Sequence, residues 1–350
     1  MNLFGWNNKK KAEGAEPRQD GGDTAVCEME SFSEPFVSKN LTVFLLRGKD
    51  LEGVPECLTL EEALEQGVVV VEETGVVNTL RVKNTGKTRV FIQSGDILKG
   101  GKQDRAIRED LVLEPECDFV SIHVFCVERG RWRKRGLEDD SHFSHSGHLT
   151  TGKDLKMAYR YGAEQNAVWQ EVSNFQAKAA RSAGVSNEDV TSDASPTSLN
   201  LTLDNQKVSE STSEYLESLK DITTGKNDVV GFAFAINGKL SEVEVYPSSA
   251  FFRKMWPKLI ASAAHEAFCE SFHKTDDAST SVEGLKELMK EVEQSQGREL
   301  RSSAKSRTVV RETDQTVFFE SLYGNPEEGE LWMHRNYVSR QGESLSRQGT

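Results

Sequence analysis

Val229-Val-Gly-Phe-Ala-Phe-Ala-Ile236, Asn237-Gly238 and Lys239-Leu-Ser-Glu-Val-Glu-Val-Tyr246 are two strand-forming runs around a dipeptide that favours the two-residue type I′ turn, where both central residues need positive φ. A β-hairpin is expected here. Ser249 to about His273 then carries Phe251, Phe252, Trp256, Leu259, Ile260 and Ala263 around much of a helical circumference, which predicts a long apolar helix at the centre of a core. Pro257 falls inside it, so the helix either kinks there or hands over to a second one.

Working outward toward the N-terminus, Thr42–Arg47, Val68–Glu72, Thr79–Lys83, Arg89–Gln93 and Phe119–Val127 are short β-branched or aromatic runs separated by Gly, Asn and Asp turns. Val120, Ile122, Val124 and Cys126 fall on one face of the last run, which buries that face. Between the first two runs, Thr59-Leu-Glu-Glu62 is a capping-box pattern opening a short helix that Gly67 ends. The fold class expected is α+β: a mainly antiparallel β sandwich or barrel, then a helical region with the hairpin and the long apolar helix. Arg129 to Gly152 reads as a long loop, and a helix from about Ala167 stops at Gly184. Residues 184–210 read as a linker, and Ser211-Thr-Ser-Glu214 and Thr280-Ser-Val-Glu283 as two further helix starts. Thr308–Arg311, Gln315–Ser321 and Glu330–Arg335 read as three late strands. The divisions expected are a disordered segment 1–34, a β-rich region 35–136, an α+β region 137–275 in one domain with it, a helix with late strands over 276–338, and a disordered tail 339–350.

The 350 residues carry a net charge of −13 and an apolar fraction of 36%, which argues against general nucleic-acid or anionic-membrane binding. Cys27, Cys57, Cys117, Cys126 and Cys269 are odd in number and lack a Cys-x-x-Cys pair, so neither a disulfide scaffold nor a structural zinc site is expected, and the reducing cytosol is the compartment inferred. The N-terminus has no signal-like apolar region, and no segment approaches the ~18 apolar residues of a spanning helix. Neither a cofactor nor an oligomeric state is implied.

Two polar stretches stand out. Gly95-Asp-Ile-Leu-Lys-Gly-Gly-Lys-Gln-Asp-Arg105 packs Lys99, Lys102, Gln103, Asp104 and Arg105 around Gly100-Gly101, a pattern that permits close ligand approach to backbone N–H groups. It lacks the glycine spacing and the Ser/Thr of a Walker loop. In Cys126-Val-Glu-Arg-Gly-Arg-Trp132, Arg131 could hold a phosphate while Trp132 stacks on a ring. The bland alternatives are a solvated charged turn for the first stretch, and core packing with a Glu128–Arg131 salt bridge for the second. His142, His145 and His148, spaced three apart, are a weak alternative metal set, and Cys126 reads as an inert core thiol.

Taken in order and spacing, these stretches with the Gly231–Phe268 region resemble the ARG-and-rhodanese-phosphatase-superfamily-associated protein domain over roughly residues 40–270. The family has an acidic residue at Asp96, Gln followed by Asn or Asp at Gln103 and Asp104, and Glu-Gln-Gly-Arg-Trp where this chain has Glu128-Arg-Gly-Arg-Trp; Arg129 departs from it. The triple histidine lies outside the pattern. The resemblance implies a setting of nucleotide-derived, phosphorylated molecules and joins the two stretches into one candidate site. The leading expectation is a small phosphorylated, ADP-ribose-like ligand held by Lys99, Gly100, Gly101, Lys102, Gln103, Arg105, Arg131 and Trp132, with Asp104 or Glu128 as general base if chemistry occurs. The rival is a non-catalytic interaction protein, with a possible protein partner, whose motifs form an internal ion-pair network. A third is a metal-dependent hydrolase using His142, His145 and His148.

Overall fold

A computed structural model describes residues 29–131, 135, 142–270, 280–303 and 305–340. Residues 1–28 of the segment 1–34 expected to be disordered, Trp132, and 341–350 of the tail expected over 339–350 lie outside the described residues, whereas Met29–Phe32 is a strand paired with Leu41–Gly48 and Ser339 ends the strand Gly329–Ser339. The protein is a mixed α+β fold with many antiparallel strands.

The hairpin forms as its sequence dictates. Val229–Ile236 pairs with Lys239–Val245, and Asn237 and Gly238 take φ of 51° and 76°. It is the middle of a nine-stranded antiparallel sheet drawn from both ends of the chain. On one side Val229–Ile236 pairs with Leu41–Gly48; on the other, Lys239–Val245 pairs with Gly329–Ser339. The sheet continues through Thr316–Asn325, Ser306–Glu312 and Arg298–Ser303, the last a strand its Arg- and Ser-rich sequence does not announce.

Both faces of this sheet are covered, and period-two alternation sorts the side chains between them. Leu41, Val43, Leu45, Phe232 and Phe234 join a core with the helix Ser249–Cys269. Phe44, Leu46, Val243 and Val245 join a second core with the helix Val282–Glu293. Ser249–Cys269 runs unbroken through Pro257, so there is no handover to a second helix. Nor is it a uniformly apolar rod: its buried residues include His265 and also Lys258 and Glu266, which meet Asp96 and Ser241 inside the protein.

Residues 57–149 build two smaller sheets around a third core of Leu, Ile and Val side chains. Four expected strands appear there as Val69–Glu73, Thr79–Asn84, Arg89–Ile92 and Val120–Cys126. The expected long loop contains a strand, Phe143–Leu149, which pairs with Asp96–Gly100. The expected linker over 184–210 is folded as the short helices Asn187–Val190 and Leu199–Leu203 and the start of Gln206–Leu219; the first is capped reciprocally by Ser186 and Asp189. Polar composition there reflects capping chemistry rather than mobility. The helix expected at Ser211 starts earlier, because Asn205 accepts from the Lys207 N–H and leaves Ser211 inside, donating to the Lys207 carbonyl. Ser281, not Thr280, caps the later helix. No described helix is long and apolar enough to cross a membrane.

Thr59 forms the full capping box with Glu62 that its sequence indicates. Thr59→Ala is expected to cost about 1–2 kcal/mol, whereas Ser211→Ala, which removes only a back-bonded helix hydroxyl, should stay within about 0.5 kcal/mol. Chemical denaturation of both variants checks this contrast.

Candidate functional site

Strand pairing brings the two polar stretches together. Asp96–Gly100 and Arg105–Ile107 form a hairpin, and Val120–Cys126 pairs with its second strand so that Cys126 lies opposite Arg105. The chain after Cys126 is thereby delivered to the turn at residues 101–104.

The side chains that meet there are interior. Gln103, Asp104, Arg105, Glu128 and Arg131 are all at most 7% exposed. Asp104 receives Gly100 N–H at 3.1 Å, Ser198 Oγ at 3.0 Å and the Arg135 guanidinium at 2.8 and 3.3 Å, with Arg131 at 3.5 Å. Glu128 accepts from the Asp104 N–H at 2.9 Å, from Arg131 Nε at 2.6 Å and from Arg135 at 3.3 Å. Arg131 also donates to the Gly101 and Gly100 carbonyls. Gln103 donates to the Glu128 carbonyl at 2.7 Å, and Arg105 donates to the Gln103 carbonyl and lies 3.6 Å from Glu73. Arg135, buried with the rest, was not singled out from sequence, where it is one of four basic residues between Arg131 and Arg135.

The glycine pair has a steric reason. A Cβ on Gly100 would stand 2.6 Å from the His142 carbonyl, and one on Gly101 would stand 2.3 Å from the Phe143 ring. Four of the turn's N–H groups are spent internally: Gly101 donates to His142 and Lys102 to Glu73, beside the Gly100 and Asp104 bonds above. The solvated-turn alternative therefore does not hold. Lys99 and Lys102 are half-buried at the edge of this frame.

The three histidines do not converge. Their segment is a strand rather than a helix, with a register irregularity between His145 and Leu149. His145 approaches Glu61 and Glu65, His148 bonds Asp204 at 2.9 Å, and His142 is exposed. Cys126 is buried, and burial raises its thiol to about 11, so it is not a ready nucleophile.

A second buried network lies deeper. Lys156 bonds Glu242 and, at 2.9 Å, Glu244; His334 bridges Glu244 and Asp110, the latter at 2.9 Å. Asp110 is further held by Arg160 at 3.0 Å, Ser321 and the Ser94 N–H, while Arg160 also bonds Asn336 at 3.0 Å. Burial opposes ionisation of Glu244, but Lys156 and His334 outweigh it and hold the carboxyl at about 2. Burial likewise opposes charge on His334, yet Asp110 and Glu244 raise its pKa. For Glu266 the balance goes the other way: burial, then the neighbouring Glu242, push it up to about 7, outweighing the Ser241 hydrogen bond, Lys156 and Lys153. It lies beside a cavity of about 50 Å³ whose mouth carries Lys153, Asp154 and Lys178. Glu242 and Glu244 alternate with Val243 and Val245, a signal that places both carboxylates on one face but not in the interior.

A family model described as ARPP-1, the ARG and Rhodanese-Phosphatase-superfamily-associated Protein domain, matches residues 30–338. The chain belongs to this family. The match extends the resemblance from 40–270 to 30–338, which takes in His334 and the strands from residue 298 up to residue 338. No curated protein and no solved structure matches the chain.

Arg135→Ala leaves Asp104 and Glu128 buried with an uncompensated carboxylate, and should cost about 3–5 kcal/mol in denaturant unfolding. For Glu266, the folded carboxyl takes up its proton near pH 7 and the unfolded one near 4.5, so the folded chain binds the extra proton between those values. Stability contributed by Glu266 therefore falls as pH rises through that window. Glu266→Gln should give a shallower decline in Tm from pH 5 to 7.5 than the parent shows.

Proposed function

We propose that the protein is a non-catalytic interaction domain in which the two polar motifs form an internal ion-pair network holding the hairpin 96–107 against the rest of the fold. The supporting observation is that Asp104 and Glu128, both fully buried, have their carboxylates bonded to Arg131, Arg135, Ser198 and backbone N–H groups. A general base must reach a substrate proton within about 3 Å; these oxygens meet other protein groups instead. Frame residues of this kind fix the shape of a surface that a partner reads, and a buried pair serves specificity of arrangement more than net stability.

A second reading, recognition of a small phosphorylated or nucleotide-derived ligand, is favoured by one observation: Lys99 and Lys102 stand half-buried at the edge of the frame, where two ammonium groups can meet an anion.

One experiment separates the two. ADP-ribose, nucleotides and sugar phosphates are screened at millimolar concentration by thermal shift against the parent, Arg131→Ala and a Lys99→Ala/Lys102→Ala double variant. The internal-network reading expects a large fall in Tm for Arg131→Ala alone and no ligand shift for any protein. A shift in the parent of the size that about 4 kcal/mol of linkage gives for a micromolar binder, lost in the lysine double variant, would establish the ligand reading in its place. Arg131→Ala at the parental Tm would sink the network.

A further inference from the structure

We propose that Glu61, Glu65 and His145 form a binding site for one divalent transition-metal ion of the Zn²⁺ class, separate from both buried networks. Glu61 and Glu65 lie four apart on the helix Leu60–Glu65, so their carboxylates share a face. That helix is fixed at its start by the Thr59–Glu62 capping box, and Glu62 is also tied to Lys254. His145 comes from the strand Phe143–Leu149, which is held by pairing with Asp96–Gly100. Ligands thus arrive from two anchored elements rather than from one mobile loop.

The three residues stand close enough to share one ion. His145 Nδ1 stands 3.4 Å from Glu61 Oε1, and Nε2 stands 3.6 Å from Glu65 Oε1. Both separations exceed the about 2.7–3.2 Å of a hydrogen bond, and a metal takes only one ring nitrogen, so binding requires Glu61 and Glu65 to turn toward the same nitrogen, which their partial exposure permits. One ligand atom from each of the three residues lies within 4.8 Å of the others. The Nδ1 atom is shielded from solvent and makes no hydrogen bond. Two carboxylates of like charge at this helical spacing repel, and a cation between them relieves that cost. Imidazole with two carboxylates selects a borderline cation such as Zn²⁺ over Mg²⁺ or Ca²⁺, which prefer all-oxygen shells. Three protein ligands leave a fourth position open, and Glu65, the exposed member, keeps the site accessible to exchange. The competing arrangement is a protonated His145 bridging the two carboxylates without metal.

The full-length protein, stripped with chelator, is dialysed against Zn²⁺ and assayed for bound metal and for Tm. One equivalent bound in the micromolar range, with a rise in Tm, is expected. His145→Ala and a Glu61→Gln/Glu65→Gln double variant should each weaken uptake by an order of magnitude or more, while His142→Ala and His148→Ala should leave it unchanged. Circular dichroism without metal verifies that each variant is folded. No uptake by the parent, or an equivalent still bound by a folded Glu61→Gln/Glu65→Gln/His145→Ala variant, overturns the proposal.

Discussion

Lys156 lies in the interior against Glu242 and Glu244, and this arrangement dictates how the remote parts of the chain must meet. A buried ammonium or carboxylate left alone costs several kcal/mol, so the segment carrying Lys156 and the hairpin carrying the two glutamates can be ordered only together. His334 extends the requirement to the strand Gly329–Ser339, and Asp110 and Arg160 extend it to the middle of the chain. In the nine-stranded sheet, whose strands come from both ends of the sequence, Glu242 and Glu244 sit on one strand and His334 on the strand paired with it. Aromatic packing reinforces the point: Tyr246 stacks on His334 at 4.8 Å, and Arg160 lies 4.2 Å over the Phe319 ring.

The frame around Asp104 and Glu128 is connected to this centre. Tyr246 donates to Gln93, the Gln93 N–H donates to Asp96, and Asp96 pairs with Lys258 of the inner helix. Asp96 opens the very strand that leads into Gly100 and Gly101. The charged groups are therefore not two decorations on an apolar fold but one polar seam between the large sheet and the smaller ones. Hydrophobic side chains of the same volume could hold such a seam at least as tightly. What ion pairs add is discrimination, because a register slip of one residue would turn Glu242 and Glu244 into the wrong core.

This explains which features the sequence made legible. The Asn237-Gly238 hairpin, the Thr59 capping box and the strands 69–73, 79–84 and 120–126 are decided by local chemistry, and local chemistry is what a sequence displays. Phe143–Leu149 was illegible because Ser-His-Ser-Gly-His has no apolar alternation; it is a strand only because Asp96–Gly100 supplies its hydrogen bonds. Glu242 and Glu244 fall on one face of a strand, and only the covering of both sides of the sheet, which a local pattern does not display, puts them in the interior. For the candidate site, the polar residues and their spacing identified the participants, but not their burial. Glycine was the ambiguous letter: close ligand approach and the passage of a strand demand the same residue, and at Gly101 it is Phe143 that passes.

The strand Phe143–Leu149 is consequently the element through which the outer surface and the interior frame communicate. Phe143 packs over Gly101 and its neighbour His142 accepts the Gly101 N–H, which sets the turn that aims Asp104 at Arg131 and Arg135. Two residues further along, His145 faces outward to the helix Leu60–Glu65. The ladder to Asp96–Gly100, the buried Leu149 and the His148–Asp204 bond hold the rest of the strand. An ion held at His145, as proposed above, would therefore bear on the same strand that packs against Gly100 and Gly101.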